Sequence, residues 1–319
     1  MICLVRCASS IDPLQRLRQT MISYLIWNEN DEYRLIAPCG DLSKSTFGLD
    51  EQVFQSLVDQ VDLIFHCAAN VNFILSAHQL AKDNVFGTRE VLRLATSHPS
   101  RSIPVHFIST LSVLSSSKSN GYAQTKWMAE CLINQAIKAG LSAKIYRLGL
   151  IGPHSRTGVA NPKDLYTLLF AAMLGMHCYP QILQGCRMVL LVDLTARSLV
   201  HLSRLPNHSA EHVYHLIHPK NRMQMDAVIE GLHRCDMKMR KVDNDEWEVQ
   251  VNRWCDQKCE YECVKKCFFI EQFGAGESEG PVSNAEYQAA VSDLHLPTID
   301  KEYAYRWLTF ILDQKNSRV

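Results

Sequence analysis

The chain has 319 residues, enough to bury a full core as one large domain or as a core with a subdomain. Its 33 basic and 33 acidic side chains cancel, which excludes nucleic acid or an anionic membrane surface as the main partner. No apolar run approaches the roughly 20 residues that span a bilayer, and the opening Met1–Val5 run, closed by Arg6, is too short for a signal peptide. The 12 cysteines therefore read as reduced thiols of a cytoplasmic protein.

In chain order, Ile2 to Val5 reads as a strand. A helix follows from Asp12 as N-cap and Pro13 at the first helical position, with Leu14, Leu17, Met21 and Leu25 on one side. Arg34 to Ala37 is the next strand and leads to Gly40-Asp41-Leu42. From Asp50 a helix carries Val53, Phe54, Leu57 and Val58 inward. Val61 to His66 is a strand running into the small residues Cys67-Ala68-Ala69, and a helix covers His78 to Ser97. Val105 to Ile108 then delivers Ser109 and Thr110 at the carboxyl end of a strand, where open α/β sheets place their ligands. After a polar loop through Gly121 a helix starts near Tyr122, with Ala129, Leu132, Ile133, Ala136 and Ile137 as its buried stripe and Gly140 as its stop. Ala143 to Leu148 and Met188 to Val192 extend the same sheet.

This alternation predicts an α/β fold, a doubly wound Rossmann-like parallel sheet, over residues 1–217. Beyond residue 218 the pattern changes. Met225 to Leu232, Asn244 to Phe273 and Tyr303 to Leu312 read as helices, and Gly274 to Asn284 as a Gly/Ser/Glu-rich loop, so residues 218–319 form a smaller, mostly helical substrate-binding subdomain.

The chemistry concentrates at Tyr122 and Lys126, four residues apart and so on one helical face. A free tyrosine titrates near about 10, and a neighbouring cation lowers that value. The pair suits general-acid protonation of a carbonyl oxygen held by the Thr110 hydroxyl. The same spacing at Tyr261 and Lys265 lacks the strand and hydroxyl lead-in and reads as coincidence. Arg6, just past a strand with no acid there, is the choice of an NADP-type site. His66 reads as a satisfied core histidine, and Trp127 and Trp307 as core or subdomain-contact aromatics. Cys255, Cys259, Cys263 and Cys267, spaced by four, form a drifting thiol stripe too extended for tetrahedral zinc.

Five stretches in order carry a resemblance: His66 to Phe73, Asp83 to Thr88, Ser109 to Val113, Gly121 to Trp127 and Ser155 to Gly158. Over nearly the whole chain, down to Leu296-Pro297-Thr298-Ile299 and the last helix, the sequence resembles the thioester reductase domains of nonribosomal peptide synthetases, carboxylic acid reductases and α-aminoadipate reductases, members of the extended short-chain dehydrogenase/reductases. The resemblance implies NADPH-dependent reduction of an acyl thioester presented on the phosphopantetheine arm of an acyl or peptidyl carrier protein. It implies Tyr122 as proton donor, Lys126 as the group that lowers its pKa and binds the nicotinamide ribose, and Thr110 as the carbonyl-positioning hydroxyl. It assigns Arg6 and Arg16 to the 2′-phosphate, Asp41 and Leu42 to the adenine surroundings, and Ala68 and Ala69 to the adenosine. Leu148 departs from the proline usual after Arg147. In the family a Gly-rich strand-loop-helix precedes the Cys3-Leu4-Val5-Arg6 strand and cradles the pyrophosphate, whereas none of the 14 glycines here completes such a spacing. The first βα unit is therefore expected to be missing, and the chain as written to be a poor or inactive oxidoreductase.

Two other readings remain: an extended short-chain reductase acting on a free carbonyl substrate, and a catalytically dead truncated remnant. Arg6→Ala and Arg16→Ala are each expected to weaken NADPH by roughly 10–100-fold, from the loss of a charge-assisted hydrogen bond, and NADH far less. Calorimetric titration checks this, and equal losses for both cofactors would make the arginines structural.

Overall fold

The structure, a computed structural model, describes residues 1–6, 11–114, 120–181, 186–205, 212–217, 222–235, 238–257 and 299–316. The Tyr261–Lys265 pair, Cys259, Cys263 and Cys267, the Gly274–Asn284 loop and Leu296–Thr298 lie outside the described residues. Packing divides the chain into two units, Met1–Arg147 with Pro206–Tyr214, and Leu148–Leu205 with His215–Val319. The changeover expected after residue 217 thus falls after Arg147, because residues 148–205 pack with the C-terminal part.

In the first unit, Met1–Arg6 and the stretch after Leu35 are extended and bridge in parallel, Ile2 to Ile36 and Val5 to Cys39. Arg34 itself ends a 3-10 helix, Glu29–Arg34, so the second extended stretch begins one residue later than expected. Helix α1 (Pro13–Ser23) starts as read: the Asp12 carboxylate accepts from the Leu14 and Gln15 amides and Pro13 occupies the first turn. Its apolar stripe, however, contributes no buried residue, and Leu25 lies beyond the helix with φ of 55°. Helix α2 (Glu51–Gln60), capped by Asp50, buries Phe54, Leu57 and Val58, while Val53 faces solvent.

The sheet of this unit runs β1 (Ile64–His66), β2 (Val105–Thr110), β3 (Ala143–Leu148), then the strand Val213–Leu216. β1 and β2 pair in parallel, with Ile64 opposite Val105 and His66 opposite Phe107. Between them the chain forms one long helix in three parts: α3 (Ala77–Ala81), a π turn Lys82–Phe86, and α4 (Gly87–Thr96). After β2 comes α5 (Gly121–Lys138), whose Asn120 side chain accepts from the Ala123 amide. Alternate residues of the strands face opposite ways. Val105, Phe107 and Ile145 meet Phe54, Val58, Val91, Leu94, Ala129 and Ile133 in one apolar cluster. Phe65, His106, Tyr146 and Tyr214 form a stacked aromatic row with successive centroids 5.0, 5.7 and 5.6 Å apart, one ring from each strand.

The second unit combines helices with short strands. Met188 does not extend the first sheet: its strand, Cys186–Leu191, lies between Leu150–Gly152, in parallel, and Arg222–Gln224, antiparallel. Cys178–Pro180 pairs with Arg240–Val242. The core gathers the nearly all-apolar helix Leu165–Met176 with Trp247, Tyr303 and Trp307, and the Trp307 indole donates to Thr167 Oγ1 at 3.2 Å. No helix among the described residues is long and apolar enough to cross a membrane.

Ile133 is fully buried beneath the sheet on α5. Ile133→Ala is expected to cost about 2–5 kcal/mol by urea unfolding. A loss below about 0.5 kcal/mol, the range of a surface change, would contradict this placement.

Candidate active site

The first turns of α5 set the site. Gly121 is buried, and a Cβ there would collide with the backbone of Leu75, Ser76 and Ala77, so a side chain is excluded where the helix begins. Tyr122 follows at once. Its ring meets Phe73 edge-on, with centroids 5.6 Å apart and planes at 74°. Burial pushes its hydroxyl up to about 12, which keeps the phenol protonated at neutral pH.

Lys126, one turn on, is buried. Its ammonium donates to the Ile108 carbonyl at 2.6 Å and lies 4.0 Å from the centre of the Phe107 ring. Burial pulls it down to about 7, against the opposing fields of Glu130 and Cys67. The expectation that Lys126 lowers the Tyr122 pKa is therefore not met in this arrangement: the tyrosine is raised, and burial is what raises it. Shared helical phase brings the two onto one face, but the long lysine stem takes its charge to the strand end. Thr110 ends β2, and its hydroxyl donates to Ser112 Oγ at 3.1 Å while accepting from the Ser112 amide at 3.2 Å.

Residues given no role by sequence reading complete the framework. Glu130, one further turn along α5 and buried, accepts from Ser109 Oγ at 2.5 Å. It also takes the Arg147 guanidinium through Nε at 3.0 Å and Nη2 at 2.6 Å. Three elements, β2, α5 and β3, are thereby tied at one carboxylate. The i, i+4, i+8 series of Tyr122, Lys126 and Glu130 was the available signal.

Asn84, buried in the π turn, exchanges hydrogen bonds with the Asn70 backbone, accepting at 2.7 Å and donating at 3.1 Å. It also donates to Thr125 Oγ1 at 3.0 Å. The π turn is what aims this amide at both the loop and α5. His66 is a satisfied core histidine as expected: its Nε2 is 3.0 Å from Thr88 Oγ1, and burial, then Lys126, drops it to about 3, so it stays neutral. Trp127 turns out 39% exposed rather than core.

The cofactor candidates divide. Arg6 ends the first extended stretch near Asp41. Burial would raise the Asp41 carboxyl, but hydrogen bonds from Ser43 and the charges of Arg6 and Lys44 hold it below its ordinary value. Leu42 abuts Gly87, where a Cβ would lie 3.2 Å from its own. Ala68 is exposed and Ala69 half-buried, on the loop after β1. Arg16 is exposed on the first turns of α1, which carry no acid.

A Rossmann-like α/β unit with a hydroxyl at a strand's carboxyl end and a Tyr-x-x-x-Lys helix beside it defines an NAD(P)-dependent oxidoreductase of the extended short-chain type. The chain belongs to the NAD-binding family described as Male sterility protein, whose profile matches residues 1–119 and 114–199. It is 33% identical over 264 residues to one of the subunits of linear gramicidin synthase from Brevibacillus parabrevis, covering 77% of this chain and 5% of that one. It is 32% identical over 284 residues to glycine betaine reductase ATRR of Emericella nidulans, covering 81% and 22%. The chain therefore spans a quarter or less of these relatives' length. Among solved structures it resembles the terminal R domain from the myxalamid PKS-NRPS biosynthetic pathway, with a TM-score of 0.85 and 28% identity over 99% of this chain and 84% of that one. It is a reductase domain of the thioester reductase type.

Lysine in an unfolded chain titrates near about 10.4, whereas Lys126 in the native chain is lowered to about 7. Between these values the unfolded state binds the extra proton, so raising the pH favours the native state. The unfolding free energy of the protein minus that of Lys126→Met is expected to rise from about pH 7 to 10, by up to about 1 kcal/mol per unit. A constant difference across that range would mean the ammonium is solvated.

Proposed function

We propose that this chain reduces an acyl thioester, delivered on the phosphopantetheine arm of a carrier protein, to the aldehyde. The observation that carries this reading is the half-buried, protonated phenol of Tyr122 at the start of α5, on the helix whose Lys126 ammonium meets β2 at the Ile108 carbonyl. Support for a carrier-bound thioester comes from the likeness to an R domain of a PKS-NRPS pathway and to part of a gramicidin synthase. NADPH is the assigned reductant, its 2′-phosphate taken by Arg6 and Arg16, its adenosine by Asp41, Leu42, Ala68 and Ala69, and its ribose by Lys126; when bound it supplies hydride to the carbonyl carbon.

The chain's own groups do the rest. The Thr110 hydroxyl turns from Ser112 to hold the carbonyl oxygen. Tyr122 gives its proton to that oxygen as negative charge develops there. Lys126, one turn away, offsets the phenolate left behind, a task a cation performs best in a dry site. The resulting thiohemiacetal breaks its C–S bond, the hydroxyl proton passes to the departing sulfur, and aldehyde and thiol leave. Leu148 at the position after Arg147 is accommodated at the end of β3, where it is 9% exposed.

In a form extended before Met1 by a Gly-rich βα unit, Tyr122→Phe is expected to lower turnover of a carrier-tethered acyl thioester by about 10²–10⁴-fold with unchanged thermal stability. The assay follows NADPH absorbance, with the same acyl group as a free ketone in a parallel arm. Near-normal turnover in Tyr122→Phe would remove the mechanism, and faster reduction of the free carbonyl would remove the carrier assignment.

A further inference from the structure

The loop from Asn70 to Ser76 is held more firmly than a surface connection needs to be. At its start the Asn70 amide donates to Asn84 Oδ1, and the Asn70 side chain donates to Asp83 Oδ2 at 2.8 Å. In its middle the Asn72 carboxamide oxygen accepts from the Ile74 and Leu75 amides at 2.8 and 3.0 Å, closing an Asx turn around Phe73. At its end Ser76 and Gln79 form a reciprocal capping box on α3. The backbone of Leu75–Ala77 then lies directly against Gly121, with no room for a side chain.

Phe73 lies within the turn that these bonds close, and its ring is set edge-on against Tyr122. Asn84 joins the same loop to Thr125, whose own hydroxyl donates to the Tyr122 carbonyl at 2.9 Å. Loop and catalytic turn are thus one hydrogen-bonded body, and Phe73 is its point of contact with the phenol ring. A merely space-filling phenylalanine would not need an Asx turn, a capping box and a glycine contact to fix its position.

We propose that Phe73 is a positioning residue for Tyr122, carried on the hydrogen-bonded Asn70–Ser76 loop so that the phenol ring keeps a single orientation. This rests on Tyr122 as proton donor. Edge-to-face packing presents the positive ring edge to a negative ring face, so it fixes the angle between the rings as well as their distance. Removing the ring would let water reach the phenol and let its first torsion angle wander, and the proton would then be given from many orientations rather than one.

The test uses the full chain with 13Cζ-labelled tyrosine, the Tyr122 resonance being assigned by its loss in Tyr122→Phe. In the unsubstituted protein that resonance is expected to stay single and to titrate well above the exposed value of about 10. In Phe73→Ala and in Phe73→Leu, which keeps the apolar volume, it is expected to move with pH and titrate at least one unit lower, toward the exposed value of about 10. Phe73→Trp, which restores an aromatic edge, is expected to return it to the parent behaviour. In the form extended before Met1 by a Gly-rich βα unit, turnover of a butyryl-pantetheine thioester with NADPH is read alongside, with kcat expected to fall about 10-fold or more in Phe73→Ala and KM for NADPH to hold. If Phe73→Ala and Phe73→Leu lower only the melting temperature and leave the Tyr122 resonance unchanged, the proposal is overturned. If the resonance responds as expected while Tyr122→Phe turns over normally, Phe73 positions the ring and the proton-donor reading fails instead.

Discussion

Whatever Tyr122 and Lys126 can do depends on the rotational setting of α5, and a buried carboxylate holds that setting. Glu130 receives the Ser109 hydroxyl from β2 and the Arg147 guanidinium from β3. A charge this deeply buried is tolerable only because its lone pairs are taken up. Those partners lie on strands, so satisfying the carboxylate also fixes the helix against the sheet. One turn earlier on the same helix the consequence is geometric: Lys126 reaches the Ile108 carbonyl of β2. The apolar cluster under Ala129 and Ile133 presses the helix onto the sheet without fixing its angle, because hydrophobic contact is non-directional.

The two titrating groups are tuned in opposite directions by one cause. Burial favours the neutral form of each, raising the phenol and lowering the ammonium. In this state the Lys126 nitrogen rests on the Ile108 carbonyl rather than on the tyrosine.

Much of the first unit was legible because its signals are local. Asp12 and Asp50 mark helix starts, and each caps its helix by its side chain in the structure, whereas the Asn120 cap reads as loop in the sequence alone. The position of Ser109 and Thr110 at a strand's carboxyl end followed from the Val105–Ile108 run alone. What failed were statements about partners. Periodicity put Leu14, Leu17 and Met21 on one side of α1, but it cannot say what lies opposite, and α1 buries nothing. Met188 carries a strand's signature that does not name its sheet. Sequence reading gives Glu130 no role, because its partner Arg147 comes from the next strand. Even the Tyr122–Lys126 pairing, right as to helical face, misjudged the four-carbon stem that takes the ammonium elsewhere.

The π turn at Lys82–Phe86 has a consequence for how this helix tolerates change. Upstream, Leu80 is locked in the core and Ser76 caps the start; downstream, Val91, Leu94 and Ala95 are locked beneath the sheet. Successive helical residues are separated by about 100° of rotation. A residue inserted or removed anywhere between these two anchors would swing one of them out of register, unless the turn itself absorbed it. The widened turn is the helix's one expansion joint, and Asn84 sits in it. Length variation along this helix should therefore be confined to that joint, and a variant that relaxed the joint to regular α-helix would turn Asn84 away from Asn70 and Thr125 while leaving the apolar core intact.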